Sequence, residues 1–323
     1  MWAQRLSGPF TFERVEVGAP RADGLAEGQV LLAPKAGGIC GSDLPFFKGA
    51  PFLHAANPGS ATTPAPGFPM HEVVGEVFAS RHPAHAAGDR VVGWASAFDG
   101  LAELVVTDGE GLAGYDTGMA PTTAVMLQPL ACVLYAVEQL GDVRGRTVAV
   151  IGQGPIGLLF SHVLKQRGAR HVVGVDRVDR SAAAGTFGVD ETVTASANLW
   201  AATLGEEDRP FLVVEAVGHQ VTTLTDCLQA VARGGQVLYF GIPDDQVYPL
   251  DMLTFLRKNL TLRAGATLER RRVLTDAGSY LAGHPALREA YVTDVHPVDD
   301  VQAAFAAAIQ PRPGQYKIVV DLS

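Results

Sequence analysis

The chain is 323 residues long, 47% hydrophobic and 18% charged, the make-up of a globular protein with room for two domains. A net charge of -9 argues against a nucleic-acid-binding surface, and no apolar run is long enough to span a bilayer. The three cysteines, Cys40, Cys132 and Cys227, are far apart with no C-x-x-C pair, so neither a disulfide framework nor a four-cysteine zinc site is expected.

The opening MWAQRLSGPFTFERVEV lacks the basic-then-apolar layout of a signal peptide, which predicts a cytoplasmic protein. From there to about residue 125, strand-like runs alternate with Gly/Pro-rich turns: Phe10 to Val17, Gln29 to Ala33, Val73 to Ala79, Arg90 to Trp94 and Ala102 to Val106. The pattern predicts a small, mostly antiparallel β domain resembling a twisted barrel. The irregular stretch from Phe46 to Met70 carries five prolines, and a loop of that length suits a lid or a pocket wall. Two motifs stand out here, Gly37-Gly38-Ile39-Cys40-Gly41-Ser42-Asp43 and His71-Glu72 followed by VVGEV. Taken alone, a single cysteine is a small core residue and a histidine before a strand is structural. Placed in a glycine-rich loop, Cys40 and Asp43 are instead presented outward.

Gln128 to Leu140 reads as a helix joining two domains, and Asp142 to Arg146 as a turn. The next stretch, Thr147 to Asp176, is TVAVIGQGPIGLLFSHVLKQRGARHVVGVD. It holds a β-branched buried strand (Val148 to Ile151), a G-x-G-x-x-G turn, a helix from Leu158 to Arg167 closed by Gly168, and a strand from His171 to Val175 that ends on Asp176. Gly152 permits the tight turn, Gly154 lets backbone approach a pyrophosphate, and Gly157 lets helix and strand pack closely. The helix start at Pro155 and Ile156 turns its positive end toward the phosphates, with free N–H groups from Ile156 onward since proline has none. Asp176 suits the two ribose hydroxyls of an adenosine and disfavours a 2′-phosphate, which points to NAD; Arg177 beside it keeps NADP open. A lone glycine motif is a weak signal, but here strand, turn, helix, strand and acid follow in the required order. Strands continue at Phe211 to Val214 and Gln236 to Phe240.

Together GGICGSD, the HE before VVGEV, Gly88 to Val91 (GDRV) and PLACVLYAVE from Pro129 resemble the zinc-dependent branch of the medium-chain dehydrogenase/reductase family, the alcohol, sorbitol and threonine dehydrogenases. The resemblance covers nearly the whole chain. It implies an α/β protein: a GroES-like, mostly β catalytic domain at 1–127, a Rossmann doubly wound parallel-sheet domain at 128–265, and a return to the catalytic domain at 266–323. It also implies that Cys40 and His71 bind a catalytic zinc, with Asp43 orienting His71 and Glu72 a ligand or exchange partner. Ser42 then takes the substrate's proton, and Val217, Gly241 and Ile242 lie beside the nicotinamide.

Several positions depart from the family pattern. Met70 replaces the glycine of GHE, and Gln128, a neutral and weaker ligand, stands where a glutamate is usual. Cys132, one helical turn on, is either a core residue or a further ligand. Pro45 replaces a relay histidine; His54, in the long loop, is either its substitute or an exposed loop histidine. The four-cysteine structural-zinc lobe is missing, so one zinc per chain is expected, with Trp94 and Phe98 lining the pocket or covering the gap. Leu256 to Ala264 resembles the edge strand through which many relatives dimerise, while charge at Arg257, Lys258 and Arg263 also suits a protected edge. His296 to Phe305 resembles the family's late helix start, and Tyr316 to Val320 its last strand.

These readings converge on an NAD(P)-dependent zinc dehydrogenase acting on a small secondary alcohol, of polyol, cyclitol or sugar-alcohol type, with no nucleic-acid or membrane partner and a homodimeric state. The rivals are a zinc-free reductase on the same scaffold and a non-catalytic NAD-binding sensor.

Overall fold

The computed structural model describes residues 1–50 and 64–323. Packing divides the chain into two units, one of Met1–Ala131, Glu269–Pro311 and Gln315–Ser323, the other of Cys132–Leu268 and Arg312–Gly314.

The first unit begins with an antiparallel ribbon, β1 (Trp2–Gly8) with β2 (Thr11–Glu16). Its main sheet is built on β3 (Gln29–Gly38), which pairs antiparallel with β4 (Glu72–Ser80) and β6 (Val105–Asp108); β5 (Arg90–Trp94) joins β4, and β7 (Leu112–Gly114) joins β5. Short helices α1 (Leu44–Phe47) and α2 (Pro121–Ala124) follow β3 and β7 in the chain, and α3 (Leu127–Glu138) carries the chain across the division between the units. Along β4 the first four residues, with Val73 and Val74, are buried on both faces, and alternation sets in only after them, with Glu76 and Phe78 facing out and Val77 in. Ala102 forms an isolated antiparallel bridge with Ala3, and the continuous strand expected from Ala102 begins at Val105 instead. The β1 strand has no clean alternation in its sequence and was not foreseen.

The second unit holds a six-stranded parallel sheet: β8 (Thr147–Ile151), β9 (His171–Asp176), β10 (Glu191–Thr194), β11 (Leu212–Glu215), β12 (Gln236–Tyr239) and β13 (Thr261–Ala264). The spatial order is β10-β9-β8-β11-β12-β13, that of two mononucleotide-binding halves meeting at β8 and β11. Between the strands run α4 (Pro155–Gln166), α5 (Ala184–Phe187), α6 (Ala197–Thr203), α7 (Thr223–Ala230) and α8 (Met252–Lys258). Val148, Ala149 and Val150 of β8 are fully buried, as a central parallel strand requires, and each valine so buried contributes about 1.5–3 kcal/mol. The helix α4 starts with Pro155 at its first position and ends ahead of Gly168, whose φ of 89° fits the left-handed cap. The edge strand expected over Leu256 to Ala264 is corrected: Leu256–Lys258 are helical, Asn259 turns the chain at φ 54°, and only Thr261–Ala264 form the strand, which does lie at the edge of the sheet.

The chain then returns to the first unit as α9 (Arg270–Ala282), α10 (Pro285–Tyr291), β14 (Val292–Pro297), α11 (Val301–Ala308) and β15 (Lys317–Asp321). The last strand inserts between β14, parallel to it, and β3, antiparallel. A core of Phe47, Met70, Leu101, Phe305, Ile318 and Val320 holds these elements together.

Candidate functional site

One strand register assembles the first cluster. Gly38, the last residue of β3, pairs with Glu72, the first of β4, and with Val319 of β15. Cys40 lies two residues beyond the end of β3 and His71 one before β4, so both leave the sheet at the same end. Gly37 and Gly38 belong to the strand and Gly41–Asp43 to a tight helical turn, so the stretch expected to be a loop is largely regular structure. The Cys40 Sγ, a ring nitrogen of His71 and a carboxylate oxygen of Glu72 all lie within 4.8 Å of one another. Ligands of a tetrahedral ion sit at about 2.0–2.3 Å from it, so three donors at this spread can share one centre.

Asp43 is fully buried behind them. Its Oδ1 lies 3.0 Å from His71 Nδ1, and its Oδ2 accepts the Cys40 N–H at 2.9 Å. The carboxylate is placed to hold the Nδ1 proton, so that Nε2 is the nitrogen that would bind a metal once its own proton is displaced. Burial alone would push the His71 imidazolium below its ordinary range, but the charge and hydrogen bond of Asp43, with Cys40 beside it, hold it well above. The pocket thus stabilises positive charge at this point.

On the other side, Glu72 Oε2 is 2.5 Å from Lys317 Nζ, with both side chains almost wholly buried, and Lys317 also donates to the Ile39 carbonyl at 2.9 Å. The Glu72–Lys317 contact is an ion pair rather than a well-aligned hydrogen bond. Phe98 lies against the His71 ring, centroids 5.0 Å apart, in a left-handed backbone conformation (φ 59°). Trp94 is buried under the Arg270 guanidinium, 5.1 Å above its ring. Ser42 is half-buried in the turn between Cys40 and Asp43, and Gln128 is buried in the first turn of α3. Cys132 does not belong to the three-residue cluster. His54 and most of the expected lid, residues 51–63, lie outside the described residues.

The second cluster lies at the C-terminal ends of the parallel strands. Gly152 turns at φ 89°, and the helix begins so close to it that a Cβ on Gly157 would overlap the Gly152 carbonyl. Gly154 caps α4, with Pro155 and Ile156 in its first turn. Asp176 ends β9, where its Oδ2 accepts the Gln153 N–H at 2.7 Å and its Oδ1 the Val178 N–H at 2.8 Å. The acid expected to meet a ribose therefore also ties the glycine turn to the second strand. Arg177 is exposed beside it. Val217 and Gly241 are half-buried and Ile242 exposed, on the loops after β11 and β12. Sequence reasoning did not single out Lys317, Asp99 or Glu215. For Lys317 the available signal was a lysine at the start of an otherwise apolar strand.

An alcohol dehydrogenase GroES-like domain profile matches residues 26–132, and a zinc-binding dehydrogenase profile matches residues 155–276. D-altritol 5-dehydrogenase of Agrobacterium fabrum is 30% identical over 287 residues, spanning 78% of this chain and 80% of the relative. The chain belongs to the zinc-dependent medium-chain dehydrogenase/reductase family. Within that family it is an NAD(P)-dependent oxidoreductase of the alcohol dehydrogenase type. L-Idonate 5-dehydrogenase (NAD(P)(+)) of Escherichia coli is 26% identical over 262 residues, covering 70% of this dehydrogenase and 73% of the relative. The fold matches that of 2R,3R-butanediol dehydrogenase from Bacillus subtilis with a TM-score of 0.77 at 24% identity, over 100% of this chain and 99% of that one. No described helix is long and apolar enough to cross a membrane.

Proposed function

We propose that this dehydrogenase interconverts a secondary alcohol of the polyol, cyclitol or sugar-alcohol class and its ketone, using NAD(H) and one zinc ion per chain. The observation that carries the reading is the cluster of Cys40, His71 and Glu72 backed by Asp43. Thiolate, imidazole and carboxylate are the donors zinc prefers, and the buried orienting acid is what a metal-bound histidine needs. Gln128 is the neutral candidate for a further position. Zinc, when bound, supplies a Lewis acid to the alcohol oxygen.

The chain's own residues do the rest. Asp43 keeps the His71 ring in one tautomer, Ser42 accepts the alcohol proton, and the loops around Val217, Gly241 and Ile242 orient the nicotinamide that receives the hydride. Asp176 favours NAD over NADP. The polyol class is supported by the likeness to D-altritol 5-dehydrogenase and L-idonate 5-dehydrogenase. We further expect a cytoplasmic homodimer formed through β13.

One rival has support of its own. Lys317 already neutralises Glu72, and Gln128 brings no charge, which suits a metal-free reductase. Initial rates on a panel of polyols and simple alcohols, each with NAD+ and NADP+, test the reading. Turnover of polyols with NAD+ above NADP+ is expected. Activity confined to the reduction of activated ketones or enones, unaffected by chelators, would contradict it.

A further inference from the structure

The loops after β11 and β12 are joined by a carboxylate that the proposed chemistry does not use. Glu215, the last residue of β11, is fully buried. One of its oxygens accepts the backbone N–H groups of Val217 (3.1 Å) and Gly218 (3.0 Å), and the other accepts that of Gly241 (3.2 Å). Burial pushes the carboxyl above its ordinary range, and those N–H groups together with the Thr223 hydroxyl pull it part of the way back. The loops also bond directly, the His219 N–H donating to the Ile242 carbonyl at 2.8 Å. At the rim His219 Nδ1 and Asp244 Oδ1 are 2.6 Å apart. There is no slack in this clasp: a Cβ on Gly241 would fall 2.5 Å from Glu215 Oε2.

Position in the sheet gives the clasp its meaning. The glycine turn and Asp176 belong to the half made by β8, β9 and β10, which takes the adenosine side of a dinucleotide. The other mononucleotide half falls over the ends of β11 and β12, where the two clasped loops are. We propose that Glu215 is a positioning residue for the nicotinamide half of the cofactor, acting through the backbone at Val217–Gly218 and Gly241–Ile242 that it holds in one arrangement. Wholly buried, it does not touch the cofactor. Its carboxylate suits the task because a single group must accept from both loops at once, and hydrogen bonds to a charged acceptor are the strong ones. The proposal rests on the dinucleotide reading above.

The test compares NADH with ADP-ribose, which lacks the nicotinamide, by calorimetric titration of the wild type and Glu215→Gln. The amide keeps one acceptor oxygen and turns an NH2 toward the N–H groups of one loop, so the clasp fails while the shape is kept. NADH affinity is expected to fall about tenfold or more, with ADP-ribose binding held within about twofold. Gly241→Ala, which wedges the same clasp from the other loop, is expected to give the same split and serves if Glu215→Gln does not fold. Equal loss of both ligands, or no loss of either, overturns the proposal. Wild-type protein that binds neither ligand would instead overturn the dinucleotide reading beneath it.

Discussion

The two oxygens of Asp43 serve two donors, the His71 ring and the Cys40 backbone, so one buried side chain orients two of the expected zinc ligands. Asp43→Asn keeps the volume but offers an NH2 where an acceptor is needed. Zinc affinity, measured by competition with a chromophoric chelator, is expected to drop about 10–100-fold. Unchanged affinity would show that the contact is incidental. Asp99 gives a second residue-scale prediction. Burial raises its carboxyl to about 6 from the usual 3.8, and its Oδ1 has no hydrogen-bond partner among the described residues. Between those values the folded protein holds a proton that the unfolded chain has released, so stability falls as pH rises from about 4 to about 6. The loss is up to about 3 kcal/mol. Chemical denaturation across that window should show the slope in the wild type and a flatter one in Asp99→Asn.

At the scale of elements, the site is a product of register. Gly38 opposite Glu72, and Val319 opposite Gly38, bring the ends of β3, β4 and β15 together. A one-residue slip would turn Lys317 and Glu72 to opposite faces of the sheet. Removing one partner strands a buried charge, so Lys317→Met alone is expected to cost about 3–5 kcal/mol in urea unfolding. Lys317→Met with Glu72→Gln should recover much of that loss. Additive costs would mean that the two groups do not interact. The expected strand over Leu256 to Ala264 failed at this same scale. Its alternating apolar residues also fit a short helix, and Asp251, whose side chain caps the helix start by accepting the Thr254 N–H, settles the choice.

Over the whole molecule, the parts legible in the sequence are those where local chemistry and global fold agree. The second unit was readable because its inner strands β8, β9 and β11 are buried on both faces and its glycine turn, α4 and Asp176 follow one another without interruption. Cys40, His71, Glu72 and Asp43 were readable as motifs, but their approach to within bonding range depends on strands far apart in the chain. Lys317 and Glu215 were hidden for the same reason. Each acts across 26 or more residues of sequence, Lys317 on Ile39 and Glu215 on Gly241, and although Glu215 opens a stretch that resembles the family's cofactor-side loop, nothing local assigns its side chain a role.

The central claim is that Cys40, His71 and Glu72 hold one zinc ion. It is tested most directly by elemental analysis of protein purified without chelator, beside a Cys40→Ser variant. About one zinc per chain in the wild type, lost in the variant, is the expected result. A wild type free of zinc, or a variant that retains it in full, would contradict the account.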